Sequence, residues 1–252
     1  MADRYWVGGT ANWDGTAGTK WSLTSGGAGG QAVPTAADDV FFDAASGVVT
    51  CTVTGTRVAK SINCTGFTGT LAGASTPALT ISGSLTLVAG MTLTYAGATT
   101  FNGTGTLISA GKALRQVTIN GAGITVTLGD ALTITGNNEL TITQGTFDTA
   151  NYNVSGYQLI SSNSNIRTIN LGSSTLSFFQ GGGSGTLQLG TITNLTFNAG
   201  TSTIDLTNNS AIIASGGLTF YNVTFSSFSS AGGLKQVRGA NTFNNLSTAA
   251  PS

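Results

Sequence analysis

Along most of this chain every second side chain is aliphatic, and the residues between are mainly threonine. The clearest runs are Ala78-Leu79-Thr80-Ile81, Met91-Thr92-Leu93-Thr94-Tyr95, Ile124-Thr125-Val126-Thr127-Leu128 and Leu132-Thr133-Ile134-Thr135. A period of two sends apolar groups to one face of an extended segment and hydroxyls to the other, so each run predicts a half-buried strand. Gly, Ser-Gly and Asn-Asn turns separate the runs, as strand boundaries require. These strands are too short and too numerous for a two-layer sandwich to be the only solution. Winding them into a solenoid buries the same face through local contacts.

Internal similarity supports winding. Phe101-Asn102, Leu107-Ile108-Ser109 and Arg115-Gln116-Val117 are matched about 52 residues later by Tyr152-Asn153, Leu159-Ile160-Ser161 and Arg167-Thr168-Ile169,. Asn194-Leu195-Thr196-Phe197, Asn222-Val223-Thr224-Phe225 and Asn245-Leu246-Ser247 recur at about 23–28 residues, close to half that displacement. One coil is therefore expected to be about that long and to hold three short strands with glycine-rich turns. The recurring asparagines are expected to stack at one corner, amide on amide. Asn63, Asn194 and Asn222 also begin glycosylation sequons, but turn formation is the reading adopted for them.

The first 46 residues have a different texture. They contain all three tryptophans (Trp6, Trp13, Trp21), the glycines Gly26, Gly27, Gly29 and Gly30, Pro34, and the run Asp38-Asp39-Val40-Phe41-Phe42-Asp43. A solenoid's first coil exposes an apolar face and unpaired backbone groups, and bulky aromatics would cover it. The expected architecture is all-β: a right-handed parallel β-solenoid (β-helix) of irregular coils, residues 47–252, with an aromatic N-terminal cap over 1–46.

Composition narrows the partners. Glycine numbers 37 and proline 3, charged residues make up 7%, and the nine basic and nine acidic residues cancel. The alternation argues against disorder despite the low charge. Scattered basic residues give no electrostatic footprint for nucleic acid or for an anionic membrane. The N-terminus shows no basic region followed by an apolar core, and there is no apolar run of membrane-spanning length, so synthesis in a cytoplasm is expected. Cys51 and Cys64 lie in strand-like stretches; in a reducing compartment they are expected to be core thiols rather than a disulfide or metal pair.

Catalytic chemistry finds little to use. The absence of histidine removes the commonest general base and the Ser-His-Asp triad. The single glutamate, Glu139, flanked by Asp130 and Asp148, is the one carboxylate constellation of the kind glycosidases need, but all three are placed beside ordinary polar turns. Lys112, Arg115 and Arg167 are too few to line a groove for an acidic polysaccharide. Asn12 to Gly15 and Asp38, Asp39 and Asp43 offer oxygen ligands of the type calcium takes, yet without a regular ligand spacing, so they are expected to cap turns. Threonine-X-threonine triplets suggest an ice-binding array, but their spacing is irregular, and strand preference accounts for them. No catalytic, cofactor-binding or metal-ligating residue is assigned, and the chain is expected not to be an enzyme.

The opening pattern Tyr5-Trp6-Val7-Gly8-Gly9, Asn12-Trp13, Trp21, Ser25 to Gly30, Pro34 and Asp38 to Asp43 resembles the start of repetitive β-solenoid proteins of tailed bacteriophages. It is also similar to strand-repeat regions of autotransporter-like bacterial surface proteins. The motif covers about a sixth of the chain; the remaining likeness is glycine and threonine texture. The phage resemblance implies a virion structural protein, assembled in the host cytoplasm, of the tail fibre or attachment type. Its partners would be other virion proteins, further copies of itself in a homotrimer, and a host surface glycan. A bacterial surface adhesin is the alternative, followed by a polysaccharide-acting β-helix enzyme. Phe178, Phe179, Tyr157 and Tyr221 are the aromatic candidates for a sugar contact.

Overall fold

Alternating Thr/aliphatic runs separated by glycine do form short strands, and the strands wind into parallel coils. The computed structural model describes residues 2–180, 185–208, 211–226 and 235–248. It divides into two units, Met1–Arg115 and Gln116–Ser252. Each is part of a parallel β-solenoid; among the described residues there are 28 strands and one short 3-10 turn.

The first unit opens with β1 (Asp3–Trp6), β2 (Ala11–Trp13), β3 (Trp21–Ser22) and β4 (Asp39–Phe41). Three coils of three strands follow. They are β5 (Thr50–Val53), β6 (Arg57–Ala59) and β7 (Ser61–Asn63); then β8 (Thr70–Gly73), β9 (Ala78–Ile81) and β10 (Leu85–Thr86); then β11 (Thr92–Tyr95), β12 (Ala98–Phe101) and β13 (Gly105–Ile108). The short β14 (Ala113–Leu114) ends the unit. Equivalent strands pair in parallel, so like residues stack in columns. Val40, Ile62, Leu85 and Leu107 are successive partners at nearly even spacing, one per coil, and all four are buried.

Residues 2–46 carry the aromatic N-terminal cap, built as part of the stack itself. They wind as its first turn: Asp39 pairs with Asp3 on one side and Ser61 on the other, and Ala11 pairs with Cys51. The ladder therefore passes residue 46 without a break. The covering is done from inside. Trp6, Trp13, Trp21, Phe42 and Phe67 are all fully buried. Trp21 meets Trp6 at 5.1 Å and Trp13 at 5.3 Å edge to face, and Phe42 meets Phe67 at 5.4 Å, separations that add to the gain from burial. The indole N–H of Trp6 donates to the Gly9 carbonyl at 3.0 Å, whereas those of Trp13 and Trp21 have no acceptor among the described residues. Burial of the three rings outweighs two unmade bonds of about 1–3 kcal/mol each.

In the second unit the strands are β15 (Gln116–Leu128), β16 (Leu132–Ile134), β17 (Glu139–Asp148), β18 (Val154–Gly156), β19 (Gln158–Ile160), β20 (Arg167–Asn170) and β21 (Thr175–Phe178). There follow β22 (Leu187–Leu189), β23 (Leu195–Asn198), β24 (Thr203–Leu206), β25 (Ile212–Ser215), β26 (Thr219–Phe225), β27 (Gln236–Arg238) and β28 (Thr242–Thr248). The long β15 and β17 each cover two sides of a coil, with a register shift between their paired halves and Gly145 at φ +91, a left-handed backbone suited to glycine.

One side carries the column Val117, Leu140, Leu159, Leu187, Ile213, Val237 and another the column Leu132, Val154, Leu176, Ile204, Val223, Leu246. Coil length along the first column is uneven: the step from Leu140 to Leu159 is the shortest and that from Leu159 to Leu187 the longest. The spread extends below the range expected from the recurring asparagine tetrapeptides. Both columns are buried until the last coil, where Val237 and Leu246 are 38% and 50% exposed. Residues 249–252 lie outside the described residues.

Candidate functional site

The three carboxylates that could have formed a hydrolytic pair do not converge. Asp130 is in the bend between β15 and β16, while Glu139 and Asp148 occupy opposite ends of β17, on different sides of the coil. Glu139 accepts from the side-chain amides of Gln116 and Gln158 at 3.3 and 3.2 Å, and Gln188 donates to Gln158 at 3.0 Å. Asp148 accepts from Asn170 at 3.3 Å, and Asn198 donates to Asn170 at 2.7 Å. Both acids thus belong to polar ladders that run along the coil stack, one amide per coil.

The acids considered for calcium are also separately engaged. Asp14 accepts from Lys20 and from the Thr16 amide, both at 2.8 Å, and the Lys20 bond holds its carboxyl below the usual range. Asp38, buried, accepts from Ala2 N at 2.9 Å and from the Thr35 amide and hydroxyl at 3.0 and 2.7 Å. Burial opposes its ionisation, but the Thr35 and Ala2 bonds outweigh that, so its pKa falls below the ordinary value. Asp39 pairs with Lys60 at 2.9 Å, and Asp43 caps the turn Ala44–Ser46. Cys51 and Cys64 carry free, buried thiols. Burial raises both, Cys64 to about 12, so neither is a ready nucleophile.

The asparagines do not share one corner. Asn222 and Asn245 stack, with Asn245 donating to Asn222 at 2.8 Å, but Asn194 precedes β23, whose partner is β20, while Asn222 pairs with Thr203. Unequal coil lengths put the similar tetrapeptides on different sides. Those same unequal lengths align Thr125, Thr146, Thr168 and Thr196 as consecutive partners, a column that sequence spacing conceals. Of the aromatic candidates, Phe178 is fully buried, whereas Phe179 and Tyr221 are 40% and 36% exposed. Tyr157 is half-buried and meets Phe179 edge to face at 5.5 Å.

A different corner of the second unit holds a concavity. Ala122, Gly123, Gln144, Ser164, Asn165, Ile166 and Asn194 line a cleft of about 400 Å³, within the roughly 300–1,000 Å³ usual for small-ligand sites. It lies where β15 and β17 bend and where β19 turns into β20. Behind it lies Arg167, fully buried. The guanidinium donates to Ser161 Oγ at 2.8 Å, to the carbonyls of Asn165 and Thr193 at 2.8 and 2.9 Å, to Ser161 O at 3.1 Å and to Thr191 O. Burial draws its pKa down, yet arginine keeps its charge. One planar fork thus fastens two successive corner loops, 161–166 and 191–194. In the sequence this site leaves only a faint trace, the polar run Ser161 to Asn165 ending on a lone Ile166.

Comparison with known proteins gives no match to any family model, curated protein or solved structure.

Proposed function

We propose that the chain is a structural protein of a phage virion, a fibre or surface attachment protein presenting a rigid β-solenoid for host-surface binding. The observation that supports it best is how the opening motif is used. Tyr5, Trp6, Trp13, Trp21, Phe41 and Phe42, the residues behind the phage resemblance, interlock within the first turn: Tyr5 stacks on Phe41 at 4.7 Å, and Trp6, Trp13 and Trp21 pack on Phe42 at 6.0–6.4 Å. That cluster seeds a stack in which each coil is held by its neighbours, a suitable scaffold for display. In this reading the protein has no catalytic role and needs no cofactor. It is assembled in the host cytoplasm, resides in the virion with other virion proteins, and contacts a host surface glycan. Self-association as a homotrimer belongs to the same reading.

Electron microscopy of particles from a host lysate, labelled with antibody to this chain, tests the proposal. Label on fibres or on the head is the expected result. Label on bacterial envelopes beside bare particles would overturn it in favour of a surface adhesin.

A further inference from the structure

We infer that the cleft between Gln144, Ser164–Ile166 and Asn194 binds a neutral saccharide. This deepens the attachment reading and rests on it for the source of the sugar, the host surface.

The lining carries hydrogen-bonding groups but no charge. Asn165 donates its amide to Thr143 O at 3.1 Å and Asn194 donates its amide to Ser164 O at 2.9 Å. Each leaves its Oδ1 uncommitted among the described residues, so the lining also offers two acceptors. The Gln144 amide and the Ser164 hydroxyl have no partner among the described residues and supply donors. A sugar hydroxyl is donor and acceptor at once, and such a mixed set matches it.

Apolar surface accompanies these groups. Ile166 is 77% exposed at the cleft, beside Ala122, and offers a patch for the C–H face of a pyranose. The preference for a neutral sugar follows from the uncharged lining. Arg167, the cation nearest in sequence to the lining loop, has its donors committed to Ser161, Asn165, Thr191 and Thr193. An acidic sugar would lose hydration without gaining a direct hydrogen bond from a cationic side chain of the lining, which is costly. The same bonds hold the two loops still, lowering the ordering cost of binding.

Two substitutions test the site while sparing the fold. Ala122 is exposed, so Ala122→Trp fills the cleft from outside. Asn194 has φ +58, which glycine adopts without strain, so Asn194→Gly removes the amide and keeps the backbone. Titration calorimetry against a panel of neutral hexose and N-acetylhexosamine oligosaccharides, with uronic-acid oligosaccharides alongside, gives the readout.

The expected result is binding of a neutral member by the wild type, weakened about tenfold in N194G and lost in A122W, with thermal unfolding unchanged. Failure of every neutral oligosaccharide to bind, equal binding by A122W, or preference for the uronic acids would overturn the inference. Host-cell binding retained in A122W would leave attachment standing and overturn the cleft. Sugar binding lost in A122W, without any host-cell binding by the wild type, would support the cleft and remove the attachment reading.

Discussion

At the scale of the residue, the buried charges are held by backbone groups more than by opposite charges. Arg167 is fully buried with carbonyls and one hydroxyl around it, and its planar fork serves several acceptors at once. A lysine has three donors on one atom and cannot span them. Arg167→Lys is therefore expected to lower unfolding free energy by about 2 kcal/mol or more, because buried carbonyls lose their donors; urea denaturation measures this. Asp38 is the acidic counterpart, with its pKa lowered by Thr35 and Ala2 against the opposing effect of burial. A depressed carboxylate pKa contributes stability above the unfolded value of about 3.9, and the contribution disappears as pH falls through the lower folded value. Asp38→Asn should cost about 2 kcal/mol at pH 7, and the gap from wild type should narrow as pH drops below about 4. A gap that stayed constant with pH would show that Asp38 acts through packing alone.

At the scale of the element, what matters is how closely one coil approaches the next. Strands in adjacent coils lie about 4.8 Å apart, so a corner residue facing the neighbouring backbone has no room for a side chain. Gly103, between β12 and β13, would place a Cβ 1.8 Å from the Ser82 carbonyl oxygen. Gly111 has φ +75 but open space around it, so alanine there strains only its own backbone. Gly103→Ala is expected to cost about 2–3 kcal/mol and Gly111→Ala about 1 kcal/mol, as read from paired chemical denaturation curves. The reverse order would mean that backbone conformation, not coil approach, limits these corners. The same close spacing makes the ladders from Gln116 to Gln188 and from Asp148 to Asn198 possible, since amides one coil apart are within bonding reach.

At the scale of the whole molecule, each unit is a repeat array, with stability accumulating from coil to coil. Within Met1–Arg115, Ile62 and Leu85 are register partners, so the chain between them makes one full coil. Deleting residues 61–83 removes one complete coil and brings Ser84 onto the position of Ser61. Such a protein is expected to fold with the same strand content per residue by circular dichroism and to unfold cooperatively. Deleting residues 61–71 instead would bring residues from a different side of the coil into the ladder, turning polar groups inward, and should abolish cooperative unfolding. Equal tolerance of both deletions would contradict register-locked stacking.

The alternation of threonine with aliphatic residues was enough to establish strands, their short length and their winding, because a period of two leaves one face to bury and glycine turns allow it to be buried locally,. The approximate coil length was legible too, as was the separateness of the aromatic opening in composition. Its place in the ladder was not, since Asp39 finds Asp3 and Ser61 as neighbours only after winding. Tertiary structure alone decided which similar residues meet. One coil, Leu159 to Leu187, is much longer than the one before it, Leu140 to Leu159. Asn194 and Asn222 therefore part company while Thr125, Thr146, Thr168 and Thr196 align. The cleft depends on the same irregularity: Gln144, Asn165 and Asn194 come from three successive coils. Sequence spacing locates a residue along a strand, whereas the lengths of all the intervening corners determine which neighbours it faces.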